Sequence, residues 1–129
     1  MEMVDASALL AILLREPDWE EVAGLIDMNA AVAPESLPME IGNSISSLVR
    51  RNILDIKLAH EVWNAYESVP VRLLRIPYKL AMRIAFEHRI YAYDAYVIAA
   101  AKQHRVRLVT LDKKMGKIAA ENGVEVRGI

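Results

Sequence analysis

The sequence predicts an α/β protein of three layers, with a central parallel sheet and helices on both of its faces. Three observations carry that expectation. Short apolar strands alternate with amphipathic helices along the chain, the helix opening at Asp94 is apolar almost all round, and four carboxylates, Asp5, Glu40, Asp94 and Asp112, fall where strands end or helices begin. Alternation of this kind makes βαβ units, and right-handed crossovers leave few other topologies. Parallel strands share one carboxyl edge, so acids scattered along the chain can converge in the crevice beside it.

Met3-Val4 is an apolar lead-in to Asp5, and Ala6 to Leu14 is apolar enough for a buried helix that Arg15 and Pro17 end. Asp18 caps a helix from Trp19 to about Met28, with Val22, Leu25 and Ile26 at helical spacing. Ala30 to Ala33 is a small buried strand. Pro34 to Pro38 reads as a loop, and Met39 to Arg51 as a helix with Ile41, Ile45, Leu48 and Val49 on one face. Asp55 caps a helix from Ile56 to about Ser68. Val71 to Ile76 alternates as a half-exposed strand does, and Pro77 starts a helix to about His88. The helix opened by Asp94 runs through Ala101 and must be buried. Arg107 to Thr110 is a strand, Asp112 precedes a helix from Lys113 to Asn122, Gly123 ends that helix, and Val124 to Val126 is the last strand.

The 129 residues are 54% apolar, as expected of one domain spanning 1–129 that buries most of the surface its unfolded chain exposes. Charge interrupts each apolar stretch before about twenty residues, the length of a membrane span, and no basic segment leads an apolar signal core. The expectation is a soluble cytoplasmic protein. With no cysteine, thiolate sites and disulfides are excluded, and zinc is disfavoured. The net charge of −1 hides a segregation: residues 1–48 hold nine acids and one Arg (−8), residues 49–129 fifteen Lys/Arg and eight acids (+7). Cations flanking an acidic centre suit a polyanionic substrate, although a basic surface alone locates no site.

Helix capping explains an Asp at any one of these positions, at about 0.5–2 kcal/mol, but not why all four acids share one edge. Glu40 lies in the first turn of an otherwise apolar helix start. Asp5 sits between two buried elements with no cation near it in sequence, where an ionised carboxylate needs a compensating partner, and a metal is the natural one. Oxygen donors of this kind suit Mg²⁺ or Mn²⁺, which keep water and phosphate oxygen in their remaining positions.

The blocks V-D-A-S-A-L-L at Val4 to Leu10, P-M-E-I-G-N at Pro38 to Asn43, Y-D-A-Y-V-I-A-A-A at Tyr93 to Ala101 and T-L-D-K-K-M at Thr110 to Met115 resemble the signature blocks of PIN-domain ribonucleases. Their order and spacing are similar to those of the VapC toxins of toxin–antitoxin pairs. The resemblance implies a Mg²⁺- or Mn²⁺-dependent endoribonuclease with Asp5, Glu40, Asp94 and Asp112 as catalytic and metal-binding acids, Asp5 and Asp94 most directly on the metal. It adds Ser7, Thr110 and Asn43 as supporting residues, Asn43 as a group that orients a carboxylate or a metal-bound water. It also implies an antitoxin partner and a homodimer, which the abundance of apolar helix faces favours, and no membrane partner. Lys113, Lys114 and Lys117 are candidate phosphate contacts, and Tyr91 and Tyr93 candidate base-stacking residues. His60, His88 and His104 share no spacing and are assigned no role.

Two rival classes differ in what they require. A receiver-type signalling module needs paired acids after the first strand, where Asp5 stands alone, and a haloacid-dehalogenase-type phosphatase needs Asp where Ser7 stands. A PIN scaffold that binds RNA or protein without cutting is the non-catalytic alternative.

Overall fold

The computed structural model describes residues 1–128. Strands β1 (Glu2–Val4), β2 (Ala31–Pro34), β3 (Arg72–Leu74), β4 (Arg107–Val109) and β5 (Val126–Arg127) form one parallel sheet in the order β3-β2-β1-β4-β5. Helices α1 (Ala6–Leu13), α2 (Trp19–Leu25), α3 (Leu37–Arg50) and α4 (Ile56–Glu67) cover one face, and α5 (Tyr78–His88), α6 (Ala92–His104) and α7 (Lys113–Glu121) the other; helices follow one another in pairs, α1-α2, α3-α4 and α5-α6, where the sequence suggested strict alternation with strands. The receiver order is 2-1-3-4-5, so this topology removes the signalling-module reading.

The central strands β2, β1 and β4 bury both faces, which is why they read as apolar runs, whereas the edge strands β3 and β5 leave Arg72 and Arg127 exposed. Met3, Val32, Leu74 and Leu108 point to the layer of α5, α6 and α7, where they meet Ile84, Ile98 and Ile118. Val4, Ala31, Ala33 and Val109 point the other way, onto Leu9, Val22, Ile41 and Ile45. Helix α6 is the buried one, with Ala95 and all of Val97 to Ala101 inaccessible. Gly116 lets α7 lie against the sheet: a Cβ there would stand 3.3 Å from Val126 and 3.6 Å from Thr110.

Several boundaries depart from the sequence reading. Pro34 closes β2 rather than opening a loop, because the last strand residue opposite Leu74 needs no N–H donor. Helix α3 starts at Leu37 and takes Pro38 into its first turn, where a missing N–H costs nothing. Helix α6 starts at Ala92, so Asp94 is its third residue and not its cap. Helix α2 stops at Leu25, and β5 is Val126–Arg127, one pair beyond the expected strand, with Gly123 in the left-handed region at φ +81° behind α7. No helix of the described residues is long and apolar enough to cross a membrane.

Candidate functional site

Reversal of strand order between β1 and β4 opens a crevice at their carboxyl ends, the place where open α/β sheets hold ligands. Asp5 leaves β1 there and caps α1: its Oδ1 accepts from the Ala8 N–H and the Ser7 hydroxyl, each at 2.8 Å. Its Oδ2 accepts from the Thr110 hydroxyl, which follows β4, at 2.5 Å. The Thr110 oxygen accepts in turn from the Asp112 N–H at 3.0 Å, and Asp112 Oδ1 caps α7 through Met115 N–H at 3.0 Å. One hydroxyl therefore ties the ends of β1 and β4 together. Capping accounts for Asp5 and Asp112, and it does not account for Glu40 in the first turn of α3 or Asp94 in the first turn of α6.

The charges of the four acids act on one another. Burial pushes the Asp5 carboxyl above its usual range, the bonds from Thr110, Ala8 and Ser7 oppose the rise, and the charge of Asp112 adds to it. Glu40 is pushed up to about 7, first by burial and then by the charges of Asp5 and Asp94. Asp94 is raised by burial and then by Asp112 and Asp5, with Lys114 pulling it back. The compensation that the sequence reading sought for Asp5 in a metal comes in part from these hydroxyl and N–H donors, because no Lys, Arg or His forms an ion pair with any of the four acids among the described residues.

Among the described residues no group of three or more His, Cys, Asp or Glu side chains is placed close enough together to hold a metal ion as it stands. The donors left open nonetheless suit a hard cation. Among the described residues Asp112 Oδ2 and both oxygens of Glu40 and Asp94 accept no hydrogen bond, and Asp5 Oδ2 keeps one lone pair after Thr110. Mg²⁺ or Mn²⁺ is held by one or two carboxylates and keeps several waters, so an open site of oxygen ligands fits it. Neither cysteine nor histidine joins the site: His88 faces Asn122 and Glu121, His104 the Arg75 carbonyl, and His60 the α3–α4 groove.

Three clefts meet at the acids. One of about 730 Å³ runs between Glu40 and Asp94, one of about 640 Å³ between Asp94 and Asp112, and one of about 610 Å³ between Asp112 and Glu40. Ser7 and Asn43 line the third, and Asn43 also the first, although it makes no hydrogen bond to a carboxylate among the described residues. Of the three candidate lysines only Lys114 lines these clefts, while Lys113 and Lys117 are exposed on α7. Tyr91 and Tyr93 both line the first cleft. Sequence reasoning passed over Arg89, which ends α5 at φ +54° and lines the second cleft with Lys114; the only signal for it was a basic residue shortly before Asp94.

Thr110→Val removes the shared hydroxyl and leaves the Asp112 N–H and one Asp5 lone pair without a partner. Urea unfolding is expected to show a loss of about 1–3 kcal/mol, most of it recovered in Thr110→Ser. Equal stability of Thr110→Val and the parent would contradict the tie between β1 and β4.

The sequence profile of the PIN domain family matches residues 3–121. The chain belongs to the PIN domain family. The blocks around Asp5, Glu40, Asp94 and Asp112 all lie within that span. This PIN domain is 25% identical over 120 residues to Ribonuclease VapC3 of Pyrobaculum aerophilum, across 89% of the chain and 92% of that protein. Among solved structures it resembles PAE2754 of the same organism with a TM-score of 0.73 and 24% identity, over 97% of this chain and 87% of the other. It also resembles a chain of a toxin–antitoxin complex from Klebsiella pneumoniae, with a TM-score of 0.66 and 14% identity over 88% of each. At such identities the two structures speak for the fold alone.

Proposed function

We propose that this PIN domain is an endoribonuclease that hydrolyses RNA phosphodiester bonds with Mg²⁺ or Mn²⁺. The observation that carries the reading is the convergence of Asp5, Glu40, Asp94 and Asp112 from four elements onto one crevice, where Asp5, Glu40 and Asp94 are each raised first by burial and further by a neighbouring acid's charge, and none forms an ion pair among the described residues. A protein that gathers like charges with only Lys114 pulling against them at Asp94, and no ion pair, is arranged to receive a cation.

In this reading Asp94 and Asp5 would hold the metal, and Glu40 and Asp112 would complete its surroundings. Asp5 is the most fixed, being gripped by Ser7, Ala8 and Thr110. A bound divalent cation supplies Lewis acidity toward the phosphoryl oxygen and toward water. Water attacks phosphorus, the bond to one bridging oxygen breaks, and that oxygen leaves and takes up a proton from solvent. Glu40, whose oxygens accept no hydrogen bond from the described residues and which lines two of the clefts, is the acid suited to take the proton from that water. Asp112 is less suited, because one of its oxygens is committed to capping α7. Arg89 and Lys114 on one side and Arg51 on the other meet the flanking phosphates.

The likeness to a VapC ribonuclease supports a toxin role with an antitoxin partner. An apolar groove between α3 and α4, lined by Ile45, Val49, Ile56 and Trp63, is large enough, at about 480 Å³, for a partner's side chains. Exposed Phe86 and Leu73 add apolar surface suited to a homodimer.

Incubating structured RNA with the protein tests the reading. Cleavage is expected with Mn²⁺ or Mg²⁺ and is expected to stop when a chelator removes the ion. Cleavage that persists in chelator would remove the metal assignment.

A further inference from the structure

The cleft between Glu40 and Asp94 differs from the other two in what lines it. The second cleft carries Arg89 and Lys114 and the third Arg51, whereas the first carries no Lys or Arg. Its walls are instead tyrosines: Tyr78, Tyr91, Tyr93 and Tyr96. Tyr96 stands edge-on to Tyr78 at 5.6 Å and to Tyr93 at 6.0 Å, so these rings brace one another. Tyr91 pairs with no ring among the described residues and is 84% exposed, on the ridge shared by the first and second clefts.

The polar groups of this cleft are uncharged apart from the two acids. Asn43 and Ser44 stand at its side, and an amide offers a donor and an acceptor side by side, the pattern of a base edge. Ser36 lies at the back, 2% exposed, and its hydroxyl has no hydrogen-bond partner among the described residues. The volume falls in the range of about 300–1,000 Å³ usual for small-ligand sites. Phosphate seeks the cationic clefts, while a flat, uncharged ring with polar edges suits the aromatic one.

We propose that the tyrosine-walled cleft receives one unpaired nucleobase of the strand, stacked on Tyr91, beside the phosphate at Glu40 and Asp94. The placement of that phosphate rests on the nuclease reading above, and the base-binding itself does not. The substrate is then single-stranded or looped RNA, because a paired base in a duplex cannot enter without being extruded. Asn43, Ser44 and Ser36 are the residues that choose among bases.

Binding and cutting are measured separately. Fluorescence anisotropy at low salt, with Asp94→Asn as the parent so that strands stay intact, compares a short unstructured RNA, its duplex and the same sugar–phosphate strand stripped of bases. Tyr91→Ala in that parent is expected to weaken binding of the intact strand about 5- to 100-fold, and to leave the base-free strand unaffected. A Tyr91→Ala loss of equal size on the base-free strand, no loss on either, or equal affinity for the duplex would overturn the proposal. The last two would leave the tyrosine wall as a seat for a protein side chain. Thermal melting of Tyr91→Ala checks that this exposed position leaves folding intact. Cleavage by the unsubstituted protein is scored independently: absent cleavage with a base-dependent Tyr91 effect would sink the nuclease reading and keep the base pocket.

Discussion

Asp94→Asn is expected to reduce metal-dependent RNA cleavage by about 100-fold or more while leaving the protein as stable as the parent or more so. The two halves come from the same cause. Burial and the charges of Asp112 and Asp5 all disfavour an ionised Asp94, so the carboxylate is a strained presence that only a function retains. Asn keeps the size of the side chain and removes the charge. It also spares the architecture, because Asp94 is the third residue of α6 and caps nothing. The comparison is of initial cleavage rates in Mn²⁺ and of urea midpoints. Undiminished cleavage would remove Asp94 from the site, and a large loss of stability would mean that its role is structural.

A second large effect is expected from pH. The fold raises Glu40 from 4.5 to about 7, so it favours the protonated form. The corresponding stability is fully present below the unfolded value and is lost as pH rises through about 7. Glu40 remains partly in contact with water, which discounts the full linkage, and about 1–2 kcal/mol should be lost between pH 5 and pH 8.5 relative to Glu40→Gln. Urea unfolding of both proteins in chelator measures the difference. Parallel pH profiles would show that neither burial nor the charges of Asp5 and Asp94 raises Glu40. Adding Mn²⁺ reverses the preference toward the carboxylate, so metal binding should release a proton near neutral pH and tighten as pH rises.

Asp5, Glu40 and Asp112 were legible in the sequence because each sits near a change of period, where an apolar strand gives way to a helix, and a parallel sheet collects such positions on one edge; Asp94 follows another helix, α5, and was legible only as the acid that opens an apolar run. The buried helix α6 was legible for the same sort of reason: a run such as Val97 to Ala101 has no polar face to give to water. Helix starts were less readable. Tyr91 and Ser36 stand at the N-termini of α6 and α3 without a capping hydrogen bond, so neither announced the helix, and Pro34 and Pro38 looked like a loop although one ends a strand and the other enters a helix. Helix ends were hidden too, since Arg89 and Arg105 take the left-handed turn that glycine usually marks.

The site beyond the acids was the least visible part. Tyr78 and Tyr96 come from different helices and meet only because α5 and α6 pack together, a contact that periodicity within either helix cannot reveal. The Thr110 hydroxyl was read as a polar neighbour of the last acid. Its link to Asp5 crosses between two strands far apart in sequence, and only their adjacency in the sheet creates it.

Thermal unfolding with increasing Mn²⁺ at pH 7.5 tests most directly whether the four acids form one pocket that a divalent ion completes. For the unsubstituted protein, a concentration a hundredfold above Kd should add about 2.7 kcal/mol and raise Tm by several degrees, and the double variant Glu40→Gln, Asp94→Asn should respond weakly or not at all. A Tm indifferent to Mn²⁺, or the same rise in both proteins, would contradict it.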